Sequence, residues 1–261
     1  ADGTTLGSDN GVGVATMLAI MEATDLPHGP LEFLFTIDEE TGLTGAGGLG
    51  EGLFQGRRLI NLDSEEERVL TIGCAGGADS HLHLGVERSP LEEGSSAISV
   101  RVAGLKGGHS GVDIHLQRGN AIKILARALH AAALAEPLRI ASFGGGNAHN
   151  AIPREVDGVV VVPSANGIPA AAKEILTSEL EAAATELSVA DPGMTFEVAD
   201  APLPADALTE ASSRQLLSLV AALPHGVMAM SSDIVGRGER RTDRGVVRGG
   251  EGRGGGGGGG G

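Results

Sequence analysis

The chain has no tryptophan and no tyrosine, and its five phenylalanines are the only aromatic residues in 261 positions. Any core must therefore be aliphatic, assembled from Val, Leu, Ile and Ala. The single cysteine, Cys74, excludes an internal disulfide framework and fits a reducing compartment. No apolar run approaches the roughly 18 residues that a helical membrane span requires, so a spanning helix is not expected. Basic residues are scarce: 19 Lys and Arg face 34 Asp and Glu, for a formal net charge of −15. Nothing resembles a basic stripe, which argues against a nucleic-acid partner. The sequence opens mid-motif at Ala1-Asp2-Gly3, without a basic leader and apolar core. These features together predict a soluble, cytoplasmic protein with no membrane partner.

What is present is a pattern of acids set against apolar runs. Leu31 to Glu40 reads LEFLFTIDEE, an apolar segment that ends in Asp38, Glu39 and Glu40. Bounded by Pro30 and Gly42, the run predicts a buried strand. Crowded carboxylates repel unless a cation or shared proton relieves them. Asp9 precedes a helical pattern and Asp63 follows another apolar run, RLINLD. Ligands gather at the carboxyl ends of strands in open α/β sheets, so three converging acidic segments suggest a metal site. Asp9, Glu40 and Asp63 are the candidate ligands, and Glu39, beside a ligand but aimed elsewhere, is the candidate general base. Set against this, Asp38–Glu40 could simply cap a turn, and Glu65–Glu67 could form a solvated face.

Taken in order, the chain predicts two domains and a tail. Gly11–Leu26 has helical spacing, with Asp9 or Asn10 as N-cap and Pro27 as stop. Strands are expected at Leu31–Ile37 and Leu59–Leu62, with further strand pieces at Thr71–Gly77 and Asp79–Val86. This is an α/β pattern over residues 1–91. After a boundary at Pro90–Gly94, residues 92–235 read as strand Ile98–Val102, helix Asn120–Leu134, strands Leu138–Phe143 and Val156–Val162, helix Ala170–Leu187 and strand Met194–Val198. That order, β-α-β-β-α-β, predicts a ferredoxin-like sandwich. A further helix is expected over Ala207–Leu223. From Gly236 to Gly261 the chain lacks apolar period and ends in glycine, which predicts disorder, at least over Gly249–Gly261.

Other features carry weaker signals. In GLKGGHSG (Gly104–Gly111), His109 sits among glycines that permit close backbone approach, and it could donate to a developing oxyanion. A flexible loop with an incidental histidine is the bland alternative. Asn150, in HNAIPRE, lies between two strands, where Asn commonly serves a turn. GAGGLG (Gly45–Gly50) matches a dinucleotide fingerprint with Asp63 downstream, but no strand runs into its first glycine and no proper helix follows. His81 and His83 share a strand face without a third ligand and read as surface residues. Cys74, flanked by small residues, reads as buried and inert.

In this order, DGTTLGSDNGVG, TIDEETGLTGAGGL, INLDSEEE, GCAGG, GLKGGHSG and NAIPRE resemble the cytosolic aminoacyl-histidine (Xaa-His) dipeptidases. These are carnosinase-like members of the M20 metallopeptidase family, and the resemblance runs from Ala1 to about Val235. It implies an α/β catalytic domain of zinc-peptidase type with a mostly parallel sheet, joined to an α+β ferredoxin-like lid that carries a homodimer contact. Asp9 would bridge two zinc ions, Glu40 would ligate one and Asp63 the other, with manganese or cobalt as alternatives. Glu39 would be the general base. His109 would stabilise the oxyanion, in dimeric relatives across the subunit boundary, and Asn150 would bind the dipeptide substrate. Other M20 activities, such as a tripeptidase or an N-acyl amino acid deacylase, are competing readings, as is a non-catalytic dimerisation module.

The resemblance also carries departures. The family has an upstream His-x-Asp motif that would precede Ala1, and a histidine-bearing C-terminal segment with no counterpart after Val235. GRGERRTDRGVV stands where relatives read like GLVETSTN, which reads as a local frame disturbance. The expectation is a dipeptidase fragment lacking both ends and having little or no activity of its own.

Overall fold

The structure is a computed structural model that describes residues 10–39, 42–63, 68–73, 76–111, 113–163, 170–233, 238–243 and 245–248. It divides into two compact units, Ala1–Ala78 and Asp79–Gly261. The boundary expected at Pro90–Gly94 falls inside the second unit, because Arg88–Pro90 is paired to a strand at Asp206–Leu208.

The first unit contains helix α1 (Gly11–Glu22) and a single turn, α2 (Thr44–Gly47). Asn10 is the N-cap: its side-chain oxygen accepts from the Gly13 N–H at 2.8 Å. The helix ends in extended backbone at Ala23, short of the expected stop at Pro27. Among the described residues this unit holds no strand, which corrects the strands expected at Leu31–Ile37 and Leu59–Leu62 and with them the mostly parallel sheet. Asp79–Val86, at the start of the second unit, is likewise not a strand, nor is the described part of Thr71–Gly77. Apolar composition alone does not make a strand; backbone N–H and C=O groups must find a ladder partner. These runs have none among the described residues, and Leu59, Ile60 and Ile72 are all more than four-fifths exposed. Asp38 takes the bland role: it adopts positive φ, its carboxylate accepts from Thr44 Oγ1 at 2.8 Å, and its carbonyl accepts from Leu43 N–H.

The second unit carries the core. Its elements are β1 (Arg88–Pro90), β2 (Ser95–Ala103), β3 (Gly108–His109), α3 (Ala121–Ala135), β4 (Arg139–Gly145), β5 (Ala151–Ile152), β6 (Val156–Pro163), α4 (Ala170–Glu186), β7 (Thr195–Ala201), β8 (Asp206–Leu208), α5 (Glu210–Ala222), β9 (Gly226–Met230), β10 (Gly238–Thr242) and β11 (Val247–Arg248). The main sheet has the order β11-β4-β6-β2-β7, and every pairing in it is antiparallel. The succession β2-α3-β4-β6-α4-β7 is thus present, with β2 and β6 central, in the split β-α-β arrangement that the sequence pattern predicts.

Period-two alternation sends Ile98, Val100 and Val102 of β2 to one face, where they pack with Val160 and Val162 of β6 against Leu125 and Leu129 of α3 and Leu176 and Leu180 of α4. All of these are essentially fully buried. The other face carries Arg101, which pairs with Asp157 at 3.2 Å and Glu155 at 2.9 Å. Asn120 caps α3 through the Lys123 N–H. Thr209 caps α5, so the helix expected from Ala207 begins later. The residues before it form β8, held by Arg139, whose guanidinium donates to the carbonyls of Ser89, Pro90, Ala207 and Leu208.

The tail expected to lack order from Gly236 differs over 238–243 and 245–248. There β10 pairs with β9, and β11 adds to the edge of β4 at Gly144 and Gly145. Backbone pairing requires no apolar period, which is why composition did not reveal it. Residues 249–261 lie outside the described residues.

Candidate functional site

The second unit brings two of the expected site residues together. Gly108 adopts φ +140°, a conformation that disfavours any residue with a Cβ, and this turns the chain into the two-residue strand β3. His109 then pairs with Ala151 of β5, and the next amide, Ser110 N–H, donates to the carbonyl of Asn150 at 2.8 Å. His109 and Asn150 therefore sit at neighbouring positions of one small antiparallel ribbon, and both are exposed.

The bonding of His109 fixes its tautomer. Gly111 N–H donates to Nδ1 at 3.0 Å. A backbone amide can only donate, so Nδ1 is the unprotonated nitrogen and the neutral ring carries its hydrogen on Nε2. The ring folds back onto the chain because position 111 is glycine: a Cβ there would lie 2.9 Å from His109 Cε1. The His109 amide is held by Asp113 Oδ2 at 3.0 Å, and Asp113 pairs with Arg118 at 3.5 Å.

Asp191, which the sequence reading passed over, secures the base of this loop. It is only 1% exposed. Its two oxygens accept from Lys106 N–H at 2.7 Å and Gly119 N–H at 2.6 Å, one on each side of the His109 segment. No local pattern distinguishes it, because both partners are more than 70 residues away.

The expected metal ligands fare differently. Asp9 and Glu40 lie outside the described residues, as does Cys74. Glu39 and Asp63 are exposed, and among the described residues no group of three or more His, Cys, Asp or Glu side chains is gathered closely enough to hold a metal ion. The oxygen chemistry of Glu39 and Asp63 fits a hard or borderline divalent cation, but those two residues alone do not make a site. His81 and His83 are exposed. GAGGLG enters the short turn α2 rather than a dinucleotide-binding helix.

Comparison with known proteins bears on this ribbon directly, since residues 100–192 match the M20 peptidase dimerisation domain and so contain His109, Asn150 and Asp191. Residues 100–192 of the chain are an M20 peptidase dimerisation domain. It is 38% identical to a cytosol non-specific dipeptidase of Escherichia coli over 247 residues, covering 95% of this chain and 50% of the relative. Among solved structures, an aminoacylhistidine dipeptidase from Vibrio alginolyticus matches with a TM-score of 0.77 and 37% identity, over 95% of this chain and 50% of the other. A Bacillus subtilis protein, YqjE, is 33% identical over 112 residues, 38% of this chain and 29% of its own length. The chain thus spans about half the length of the dipeptidases it matches. Members of this M20 group are hydrolases. Among the described residues no helix is long and apolar enough to cross a membrane.

Proposed function

We propose that the protein carrying this sequence is a metal-dependent dipeptidase that cleaves Xaa-His dipeptides and acts as a homodimer. The observation that carries the reading is the tautomer of His109, whose Nε2–H is the donor that an oxyanion needs, within a segment matched to M20 relatives over its whole length.

Asp9, Glu40 and Asp63 would hold two divalent ions, zinc foremost, with manganese or cobalt as alternatives. Bound there, the metal would lower the pKa of water and polarise the scissile carbonyl. Glu39 takes the proton of the attacking water and returns it to the leaving amine, the two-step duty of a general base and acid. His109 donates from Nε2 to the oxygen on which charge develops, a contribution of about 3–4 kcal/mol when one such donor is deleted. Asn150, on the same ribbon, offers a carboxamide to the substrate backbone.

The test is a substrate panel run on the whole protein that carries this sequence, with and without added Zn²⁺ or Mn²⁺. Faster turnover of Xaa-His dipeptides than of tripeptides or N-acyl amino acids, abolished by chelation, supports the reading. Preference for an acylated amino acid would reassign the chain to another M20 activity. A stable dimer with no turnover on any substrate would favour a dimerisation module.

A further inference from the structure

The segment of residues 238–243 and 245–248 touches both halves of the ribbon that carries His109 and Asn150. After pairing with β9, it places the Arg241 guanidinium on the carbonyl of Gly111, the residue whose amide holds the His109 ring. Further on, Gly245 lies against the Asn150 loop: a Cβ at that position would come within 2.7 Å of the Ala148 and His149 backbones. The segment ends as β11 on the edge of β4, next to the start of the same loop. Between these contacts Asp243 is drawn inward. Its carboxylate meets His225 Nδ1 at 2.9 Å and Asn120 Nδ2 at 3.4 Å, and its side chain is only 7% exposed. This anchor fixes the segment to the N-cap of α3, immediately after the residues that close the His109 loop.

From these contacts we infer that residues 238–243 and 245–248 form a strap that positions the His109–Asn150 ribbon, with Arg241 and Gly245 as positioning residues. Arg241 acts through Gly111 on the His109 ring, and Gly245 acts through Ala148 and His149 on Asn150. Asp243 holds the strap in register rather than touching the ribbon. The strap meets the core only at its margin, through the partly buried Val247, while β2, β6, α3 and α4 pack on one another directly. Removing a strap contact therefore loosens the ribbon locally, in the way that weakly buried elements open below the global unfolding free energy. The consequence for catalysis rests on the oxyanion reading of His109, but the inference about position does not.

The experiment is amide hydrogen exchange by NMR on the substrate-free chain, comparing the parent with Arg241→Ala, Arg241→Lys and Gly245→Ala. The reporter is the Ser110 amide, which bonds to Asn150; the references are Ile98 and Val160 in the core sheet. Arg241→Ala and Gly245→Ala are each expected to raise Ser110 exchange by about 10-fold or more, with the references within about 2-fold. Arg241→Lys, which keeps a cationic donor, is expected to recover most of the protection and the parent chemical shift of His109 Cε1–H. Unchanged Ser110 exchange in both Arg241→Ala and Gly245→Ala would overturn the inference. So would faster exchange at Ile98 and Val160, since the segment would then be holding the whole fold. Because no substrate is present, failure here is distinct from failure of the dipeptidase reading, which is judged by turnover.

Discussion

Asp191→Ala is the most informative single perturbation of the loop that carries His109. The Asp191 carboxylate is buried at 1% exposure and accepts two short bonds, from Lys106 N–H at 2.7 Å and Gly119 N–H at 2.6 Å. Hydrogen bonds to a charged group contribute about 1.5–3 kcal/mol each, and a donor left buried without a partner costs about 1–3 kcal/mol. Lys106 is exposed and water can reach its amide, whereas Gly119 is buried and stays unsatisfied. Weighing one rescued and one orphaned donor gives a destabilisation of about 3–4 kcal/mol, a large share of the 5–15 kcal/mol that holds a typical domain together. Asp191→Asn keeps one acceptor but turns an amide donor toward a backbone donor, so it should fall between the parent and the alanine variant. Denaturant unfolding followed by circular dichroism measures the shift, and an unchanged slope keeps the comparison valid. A loss below about 1 kcal/mol for Asp191→Ala would refute the reasoning, because it would mean that neither amide depends on the carboxylate.

Other substitutions probe separate parts of the account. Gly111→Ala sets a methyl group against the His109 ring, so the ring should leave its Gly111 bond and the Cε1–H resonance should move, while stability falls by no more than about 1–2 kcal/mol. Leu125→Ala opens a cavity between α3 and the sheet, and thermal or denaturant unfolding should report a loss of about 2–5 kcal/mol. Arg101→Ala removes two ion pairs on the open sheet face, where the side chain is about half exposed, and the same assay should show about 0–1 kcal/mol.

The second unit was legible because its information is local. Alternation in β2, the near-continuous valine run of β6 and the Ala-rich face of α3 each declare themselves within a few residues, and their order specifies the sandwich. The strand β8 was misread as helix because Asp206–Leu208 is only three residues long and is defined by partners at Arg88–Pro90, far away in sequence. The run Leu31–Ile37 fails for the opposite reason. Its apolar character is clear, but a strand exists only with a ladder partner, and sequence pattern does not supply one. Strands β10 and β11 rest on backbone pairing and on the Asp243–His225 contact, which a Gly- and Arg-rich composition conceals. At the site, His109 and Asn150 were marked by resemblance to a family, while their pairing and the Nε2–H tautomer emerged from geometry. Asp191 was missed because its work is done across long sequence separations.

We propose for Glu39 the role of proton-transferring base in the whole protein that carries this sequence. Its direct test is Glu39→Gln, measured as kcat on an Xaa-His dipeptide together with metal affinity by calorimetry. The account predicts a fall in kcat of about 10²–10⁴-fold, the range expected for losing a general base, with metal affinity essentially unchanged. A variant that retains kcat within about 3-fold of the parent would contradict it, since a group that moves the proton cannot be replaced by an amide without that loss.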